Sequence, residues 1–385
     1  MFMEAPEHIL WVQTAFIGDV VLTTAAIKLA AEKFPESKQH LITTKAGADL
    51  LGYCPFLSSV HSLEKKKGLF SFLQVARDLK KKLGDLGLCK DNAVILQAHR
   101  STRSSLLSLL LGYPAVTYKE SSFSFFLKKR VMRIPVFHEA VRIALLLEVL
   151  GLPRSESVKS RPHLLRLALD PLAQTWEGEL ASFLRQGGLL IGIAPGSIWG
   201  TKRWPIESFE VLAAKILELA GPQAALVLIG SRDEATLTER IQSYVEKSFQ
   251  NPPSVPSNLG LSAGGVGPGL VGQSVKQRIF NLAGKTSLRD LRKVVPNLAL
   301  LVSNDSSPLH FASAFQVPTV ALFGATTPAM GFGPLADKSI SLGVEGLDCR
   351  PCSLHGPQVC PRGHFRCMKE LSVEAVLEAC YSLIF

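Results

Sequence analysis

A serine-rich turn between two apolar runs is the first place where the sequence suggests chemistry. In LALLVSNDSSPLHFASAF, an apolar strand leads into a turn, Ser307 suits the N-cap, and Pro308 suits the first helical position. Backbone N–H groups and the helix dipole at such a start attract phosphate, so the pattern favours a nucleotide diphosphate. Ordinary capping of a strand–helix junction is the alternative. The residues that we expect at this site are Asp305, Ser306, Ser307, Leu309 and His310.

A second loop, APGSIWGTKRWP, places cationic side chains between two tryptophans. Lys202 and Arg203 are suited to neutralising phosphate, and the chain has no Asp-x-Asp pair of the kind that presents a divalent cation to a sugar diphosphate. The loop therefore favours phosphate binding without a metal. A solvated basic loop is the alternative. The candidate ligand-binding residues are Ser197, Thr201, Lys202 and Arg203.

The first half of the chain offers two further candidate sites. In TAFIGDVVLTT, Gly18 suits a tight turn and Asp19 lies where a carboxylate accepts a proton, with helix capping as the alternative. This run lacks the GxGxxG spacing of a dinucleotide-binding loop. QAHRSTRSSLL follows a strand and carries two arginines that could together bind an anionic acceptor, or form a surface pair at a helix start. Its candidate residues are His99, Arg100 and Arg103.

Four of the seven cysteines lie close together near the end of the chain, with two histidines between them. A CxxC pair followed by two more cysteines suits a structural zinc ion, because thiolates and imidazoles are the ligands that zinc prefers. Packing of reduced thiols within a loop is the alternative. The candidate ligands are Cys349, Cys352, Cys360 and Cys367.

These candidates follow strands in two separate series of alternating strands and helices. Apolar runs at 8–14, 39–43 and 93–97 begin the first series, and the run at 189–194 begins the second. The residues between about 151 and 171 carry three prolines and no clear period, which indicates a linker. We therefore predict two doubly wound parallel sheets, whose ligands lie beyond the carboxyl ends of the strands in a cleft between the domains. The segment 251–273 is rich in Gly, Pro and Ser and predicts a mobile insertion.

The composition bounds the class of protein. With 385 residues, 47% hydrophobic and 19% charged, the chain is typical of a soluble globular protein. It has no 18-residue apolar run and its amino terminus lacks signal-peptide features, so we expect a cytoplasmic protein. The windows 61–103 and 119–142 together carry the whole net charge of +10, which predicts an anionic partner for the first half or, alternatively, a solvated basic face. No recognised nucleic-acid-binding module is present.

Together these motifs resemble the heptosyltransferases of lipopolysaccharide assembly, glycosyltransferase family nine, and most closely those of type II. The resemblance runs from about residue 9 to 379 and rests, in this order, on QTAFIGDVVLTT, AHRSTRS, APGSIWGTKRWP, and SNDSSPLHFASA followed by PTVALFGATTP. It implies a GT-B fold: an acceptor domain at 1–165, a nucleotide-sugar domain at 172–370 and a helix at 371–385 that crosses back to the first domain. The chain differs at Ser307, where family members usually have glycine, so we expect added bulk and backbone strain there.

The resemblance also implies the reaction. Asp19 matches the general base, Lys202 the phosphate-binding lysine and residues 305–310 the donor-binding helix start. The expected activity is an inverting, metal-independent transfer of heptose from ADP-heptose to the lipid A–core acceptor, at the cytoplasmic face of the inner membrane. We expect Glu234 to hold ribose hydroxyls, no required cofactor beyond the candidate zinc, and no nucleic-acid partner. The alternatives are a related transferase with another nucleotide sugar or acceptor, or a non-catalytic basic binding protein.

Overall fold

The computed structural model describes residues 6–63, 68–127, 129–250 and 274–384. The insertion predicted at 251–273 lies outside these residues. The chain divides into two compact units, Met1–Leu165 and Arg166–Phe385. Residues after 165 already pack with the second unit, since the N–H of Leu167 donates to the carbonyl of Arg292 at 3.0 Å.

The first unit is a parallel sheet of six strands with helices between them. The strand order is β3-β2-β1-β4-β5-β6, the doubly wound order that the sequence predicts. The central strands are buried along their whole length, as expected of a parallel sheet covered on both faces. The elements are β1 His8–Gln13, α1 Ile17–Lys33, β2 Lys38–Thr43, α2 Lys45–Leu51, β3 Ser59–Ser62, α3 Leu69–Asp85, β4 Ala93–Gln97, α4 Thr102–Leu111, β5 Ala115–Tyr118, β6 Lys129–Val131, α5 Glu139–Ala144 and α6 Arg154–Val158.

The second unit repeats this topology. Its strands have the order β12-β11-β10-β7-β8-β9 and all pair in parallel, so its first strand again lies beside its second and fourth. The elements are α7 Trp176–Arg185, β7 Leu189–Ala194, α8 Ile206–Ala220, β8 Ala224–Leu228, α9 Ala235–Gln250, β9 Ile279–Asn281, α10 Leu291–Val294, β10 Leu298–Asn304, α11 Ser307–Phe315, β11 Thr319–Leu322, β12 Ser339–Leu342, α12 Arg366–Lys369 and α13 Val373–Ile384.

The position of α13 corrects one prediction. We expect residues 371–385 to cross back to the first domain, but α13 packs against α8, β10, β11 and β12 of the second unit. The physical reason is its apolar face, since Val376, Ala379 and Cys380 are buried in the core of that unit. Lys215 of α8 also contacts Glu374 at 2.8 Å. The helix therefore completes the second unit.

Two helical segments of the chain are short. Residues 138–150 contain α5 and then a 3₁₀ helix at Leu145–Leu150, and residues 287–295 contain the four-residue helix α10. Among the described helices, none is both long enough and apolar enough to cross a bilayer.

Candidate functional site

Asp19 lies in the first turn of α1, just beyond the carboxyl end of β1. Burial raises the pKa of Asp19 to about 7, and the negative charge of Glu139 acts in the same direction. Backbone N–H groups of Asp19 and Phe16 bond to the carboxylate and act in the opposite direction, as does the charge of Arg133. The structure thus contains the predicted capping contact, yet the carboxyl group still titrates near neutrality, where a general base is most effective.

Gly18 differs from its expected role. It is the second residue of α1, is buried, and its φ does not lie in the left-handed region, so it makes no tight turn. The chain leaves β1 through an extended Phe16, and the α1 N-cap side chain forms no capping hydrogen bond.

A polar network joins the carboxyl ends of β1 and β4. Thr14 Oγ1 lies 2.9 Å from His99 Nδ1 and 3.0 Å from Ser104 Oγ. Ser101 is the N-cap of α4 and accepts from the Ser104 N–H. The imidazole of His99 is therefore held at the sheet edge where ligands of doubly wound folds bind.

The two arginines after β4 lie in different surroundings. The Arg103 guanidinium lies over the Phe72 ring of α3, 5.0 Å from its centroid. Arg100 lies on the side of β5: burial holds the pKa of Tyr118 well above its usual value, and the nearby charge of Arg100 opposes this shift. Arg100 remains a candidate acceptor contact, whereas Arg103 is engaged by an aromatic ring.

In the second unit, the two motif loops meet at an ion pair. Lys202 Nζ lies 2.6 Å from Asp305 Oδ2, and both side chains are largely buried. The hydroxyl of Thr326 donates to the same oxygen at 2.6 Å. Asn304 fixes the loops further, because its side chain accepts from the Trp204 N–H and donates to the Pro195 carbonyl. These contacts hold the loop after β7 and the turn after β10 together.

The start of α11 corrects the predicted cap by one residue. Ser306, not Ser307, is the N-cap, and its side chain forms no capping hydrogen bond. Ser307 is the first helical residue with an ordinary φ, so the strain expected from its side chain is absent. The Leu309 N–H donates to the Ser306 carbonyl at 3.2 Å and its side chain is fully buried, which removes it as a donor contact. His310 is buried beside Phe332.

The remaining donor-site candidates form structural contacts. The Ser197 carbonyl accepts from Arg203 Nε at 2.7 Å, which orients the guanidinium along the loop. Glu234 Oε2 accepts from the Ser231 N–H at 2.8 Å in a capping box. A Cβ on Gly196 would lie 1.9 Å from Glu234 Oε1, so this carboxylate lies directly against the loop after β7. Its predicted ribose contact stays a prediction.

The cysteine-containing segment, residues 349–367, contacts the loop after β7. The Thr201 N–H and hydroxyl both donate to the Pro357 carbonyl, and the Gly200 N–H donates to the Gln358 side chain. The ring of Trp199 stacks on the ring of His355, and the angle between the two ring planes is 13°. These contacts join parts of the chain more than 150 residues apart, and a sequence pattern gives no signal for them.

The four cysteines lie within electrostatic reach of one another. Burial, with a contribution from Cys352, raises the pKa of Cys367 to about 11, and Cys349 Sγ lies 3.9 Å from His364 Nε2. Among the residues that the structure describes, no three His, Cys, Asp or Glu side chains are placed to hold a metal ion. The described geometry therefore does not fit the expected zinc cage, and zinc stays a prediction that elemental analysis of the purified protein would test.

The sequence of the second unit matches the model of a known protein family. Residues 270–358 match glycosyltransferase family 9 (heptosyltransferase). Part of the second unit is therefore similar to this family. This match includes Asp305, His310 and Thr326, and it confirms the resemblance predicted from the motifs.

The likeness to individual proteins extends over nearly the whole chain. Lipooligosaccharide heptosyltransferase 2 of Campylobacter jejuni is 25% identical over 96% of both chains. The glycosyl transferase family 9 protein of Veillonella parvula has 22% identity, covers 100% of this chain and 99% of its own, and gives a TM-score of 0.73. The E. coli heptosyltransferase WaaC with ADP-2-deoxy-2-fluoro heptose gives a TM-score of 0.60 at 16% identity, over 96% and 99% of the chains. The fold is therefore the GT-B fold.

Several residues that contribute to the site are not among the predicted site residues. Glu139 and Arg133 act on Asp19 from a distant part of the sequence. Thr14 and Ser104 position His99. Thr326 lies in the run GATTP, which follows the buried strand β11.

Proposed function

We propose that this chain is an inverting heptosyltransferase of lipopolysaccharide core assembly. It moves heptose from ADP-L-glycero-D-manno-heptose to heptosyl-Kdo2-lipid A. The observation that carries the proposal is the Lys202–Asp305 ion pair, which joins the two loops that the sequence assigns to the donor. The Campylobacter jejuni and E. coli proteins named above are themselves heptosyltransferases.

The donor diphosphate is bound at the carboxyl ends of β7 and β10. An ammonium carries three N–H donors, and the bond to Asp305 uses one and holds the group in place. The remaining donors of Lys202 and the start of α11 face the negative charge that grows on the leaving ADP. Arg203 and His310 are secondary contacts.

The first unit binds the acceptor and removes its proton. The ionised Asp19 carboxylate takes the proton from the acceptor hydroxyl, whose oxygen forms a bond to the anomeric carbon. The bond from that carbon to the phosphate oxygen breaks, and ADP leaves with the electron pair from the opposite face. Configuration at the anomeric carbon inverts because a single displacement occurs. His99 and Arg100 are the proposed acceptor contacts.

Cationic side chains supply the positive charge in this scheme, so transfer is proposed to proceed without a bound metal. The acceptor is a lipid, which places the reaction at the cytoplasmic face of the inner membrane. The basic first half of the chain is consistent with that surface.

A donor panel with the purified protein tests the proposal. ADP release and acceptor mass are measured with ADP-heptose, ADP-glucose and UDP-sugars, each with and without EDTA. We expect transfer from ADP-heptose alone, at the same rate with chelator. Transfer only from another donor would support the related-transferase alternative, and no transfer from any donor would support the binding protein. A rate abolished by EDTA and restored by Mg²⁺ would contradict metal independence.

A further inference from the structure

An exposed aromatic turn in the first unit is not used by the proposed reaction. The 3₁₀ helix at Ser124–Phe126 joins β5 to β6, and Phe123, Phe125 and Phe126 are 44%, 66% and 62% exposed. The rings contact one another instead of the core, with the centroids of Phe125 and Phe126 4.0 Å apart. Met132 and Val136, beyond β6, are exposed as well.

The turn is firmly anchored, so the rings are not exposed through lack of structure. Ser124 Oγ donates to the Lys119 carbonyl at 2.9 Å, and Ser121 Oγ lies 2.8 Å from Thr117 Oγ1. Leu127 is buried in the core of the first unit. Polar and aliphatic side chains of the turn therefore point inward while the aromatic ones point outward.

The backbone conformation supports the same conclusion. Phe123 has a φ of 55°, one of three non-glycine residues with positive φ among those described. A bulky residue adopts this region only where its surroundings impose it, and such outliers gather at functional positions.

A cationic pocket adjoins the aromatic turn. It has a volume of about 460 Å³ and includes four basic side chains, with one glutamate that is bonded to Arg154. Lys119 connects the two features, because its carbonyl accepts from Ser124 and its N–H donates to the Val131 carbonyl. The basic residues that line the pocket are Lys119, Lys129, Arg130 and Arg154.

We propose that this turn and pocket form a docking surface for an anionic phospholipid bilayer. Aromatic rings suit the interface between headgroups and acyl chains, and the pocket suits a lipid phosphate. Charge complementarity selects a bilayer over a neutral apolar partner. This surface consists of specific residues that make the membrane contact of the proposed function. The biological role of the surface rests on that proposed function.

Flotation of the purified protein with vesicles tests the surface. We expect binding to phosphatidylglycerol vesicles and little to phosphatidylcholine, with weaker binding as NaCl rises from about 0.05 to about 0.5 M and screening increases. Phe125→Ser/Phe126→Ser and Lys119→Glu/Arg130→Glu should each lower partition onto the anionic vesicles by at least about tenfold. These side chains are exposed, so melting temperatures should not change.

Matched controls lie in the second unit. Leu172→Ser removes a side chain that is 90% exposed, and Arg185→Glu/Lys276→Glu reverses two exposed charges, so both should bind as the parent does. Equal binding to both vesicle types, no binding to either, or unchanged binding of Phe125→Ser/Phe126→Ser would overturn the proposal. So would a dimer in sedimentation that this double variant dissociates without any lipid binding. The assay needs neither donor nor acceptor, so failure of the proposed transfer would leave its result intact.

Discussion

Glu139, the first residue of α5, lies close enough to Asp19 in α1 that its negative charge raises the pKa of the Asp19 carboxyl. Glu139 itself is bonded to Arg133 and Arg142, and both it and Arg142 are buried. The pKa of Asp19, the candidate base, is therefore shifted by a charge cluster that lies about 120 residues away in sequence.

The variant Glu139→Gln should move the acid limb of the pH–rate profile. In the parent protein we expect log kcat/KM to fall below about pH 7, as Asp19 becomes protonated. Loss of the Glu139 charge removes one cause of the raised pKa, so the midpoint should shift to lower pH by a few tenths to about one unit. Glu32→Gln, on the exposed face of α1, should leave it in place. An unshifted midpoint in Glu139→Gln would show that another group controls the limb.

The base and the phosphate contact should differ in kinetic signature. Asp19→Asn retains the size of the side chain but cannot take a proton at neutral pH, so kcat should fall by roughly 10² to 10⁴ while ADP affinity is retained. Lys202→Ala should weaken ADP binding as well as turnover, because its charge also contacts phosphate in the ground state. Calorimetry with ADP and steady-state rates separate the two. A kcat of Asp19→Asn within a few-fold of the parent would leave only the capping role.

Asp19→Asn should also stabilise the fold at alkaline pH. The folded carboxyl has a pKa of about 7 against an ordinary 3.8, so the folded state holds a proton that the unfolded chain releases between these values. The free energy of unfolding of the parent therefore falls as pH rises through this window. The cost above it is at most about 4 kcal/mol, and less where water screens the charge.

Thermal melts of the parent and of Asp19→Asn, near pH 4 and near pH 8, measure this difference. The variant should melt higher near pH 8 and at the same temperature as the parent near pH 4. The exposed Asp49→Asn in α2 should show no such gain. A lower melting temperature of Asp19→Asn near pH 8 would contradict the raised pKa.

The buried ion pair of the second unit should be more important for stability than its hydroxyl partner. Asp305→Asn leaves Lys202 without its counter-ion, which should lower the free energy of unfolding by roughly 3 kcal/mol or more. Thr326→Val removes one hydrogen bond to the same oxygen and should lower it by about 1 kcal/mol. Urea titrations compare the two. Equal losses would mean that the charge pair contributes no more than a neutral bond.

A glycine substitution tests whether the cysteine-containing segment supports the loop after β7 and its proposed binding of ADP. In Gly200→Ala the new Cβ would lie 2.3 Å from the Gln358 carbonyl oxygen, so the backbone must shift, at a cost of about 1 to 3 kcal/mol. ADP affinity should fall as well. Gly84→Ala in α3 meets nothing within 4 Å and should be neutral or slightly stabilising, by up to about 1 kcal/mol. Unchanged ADP binding in Gly200→Ala would separate the segment from the donor site.

The central strands were predictable because buried parallel strands form continuous apolar runs. The predicted bounds of β4 and β7 match the structure residue for residue. Of the four edge strands, β3, β6 and β12 are short and only partly buried, and their composition does not separate them from loops.

The candidate site was predictable residue by residue but not as pairs. Lys202 and Asp305 stand out for their types and positions, yet only the fold brings residues 103 positions apart into contact. Glu139 carries no local signal at all, because its effect on Asp19 depends on how α5 packs against α1. The N-cap of α11 lies one residue before the predicted position, because three consecutive polar side chains all suit the N-cap.

The contacts between residues 200–201 and 357–358 have a consequence for biosynthesis. A ribosome adds the later partners more than 150 residues after the loop that they hold, which at about 5 to 20 residues per second is a delay of roughly 8 to 30 seconds. During that interval the nascent loop lacks these bonds, so nucleotide should protect the chain from proteolysis only after residue 358 has left the exit tunnel.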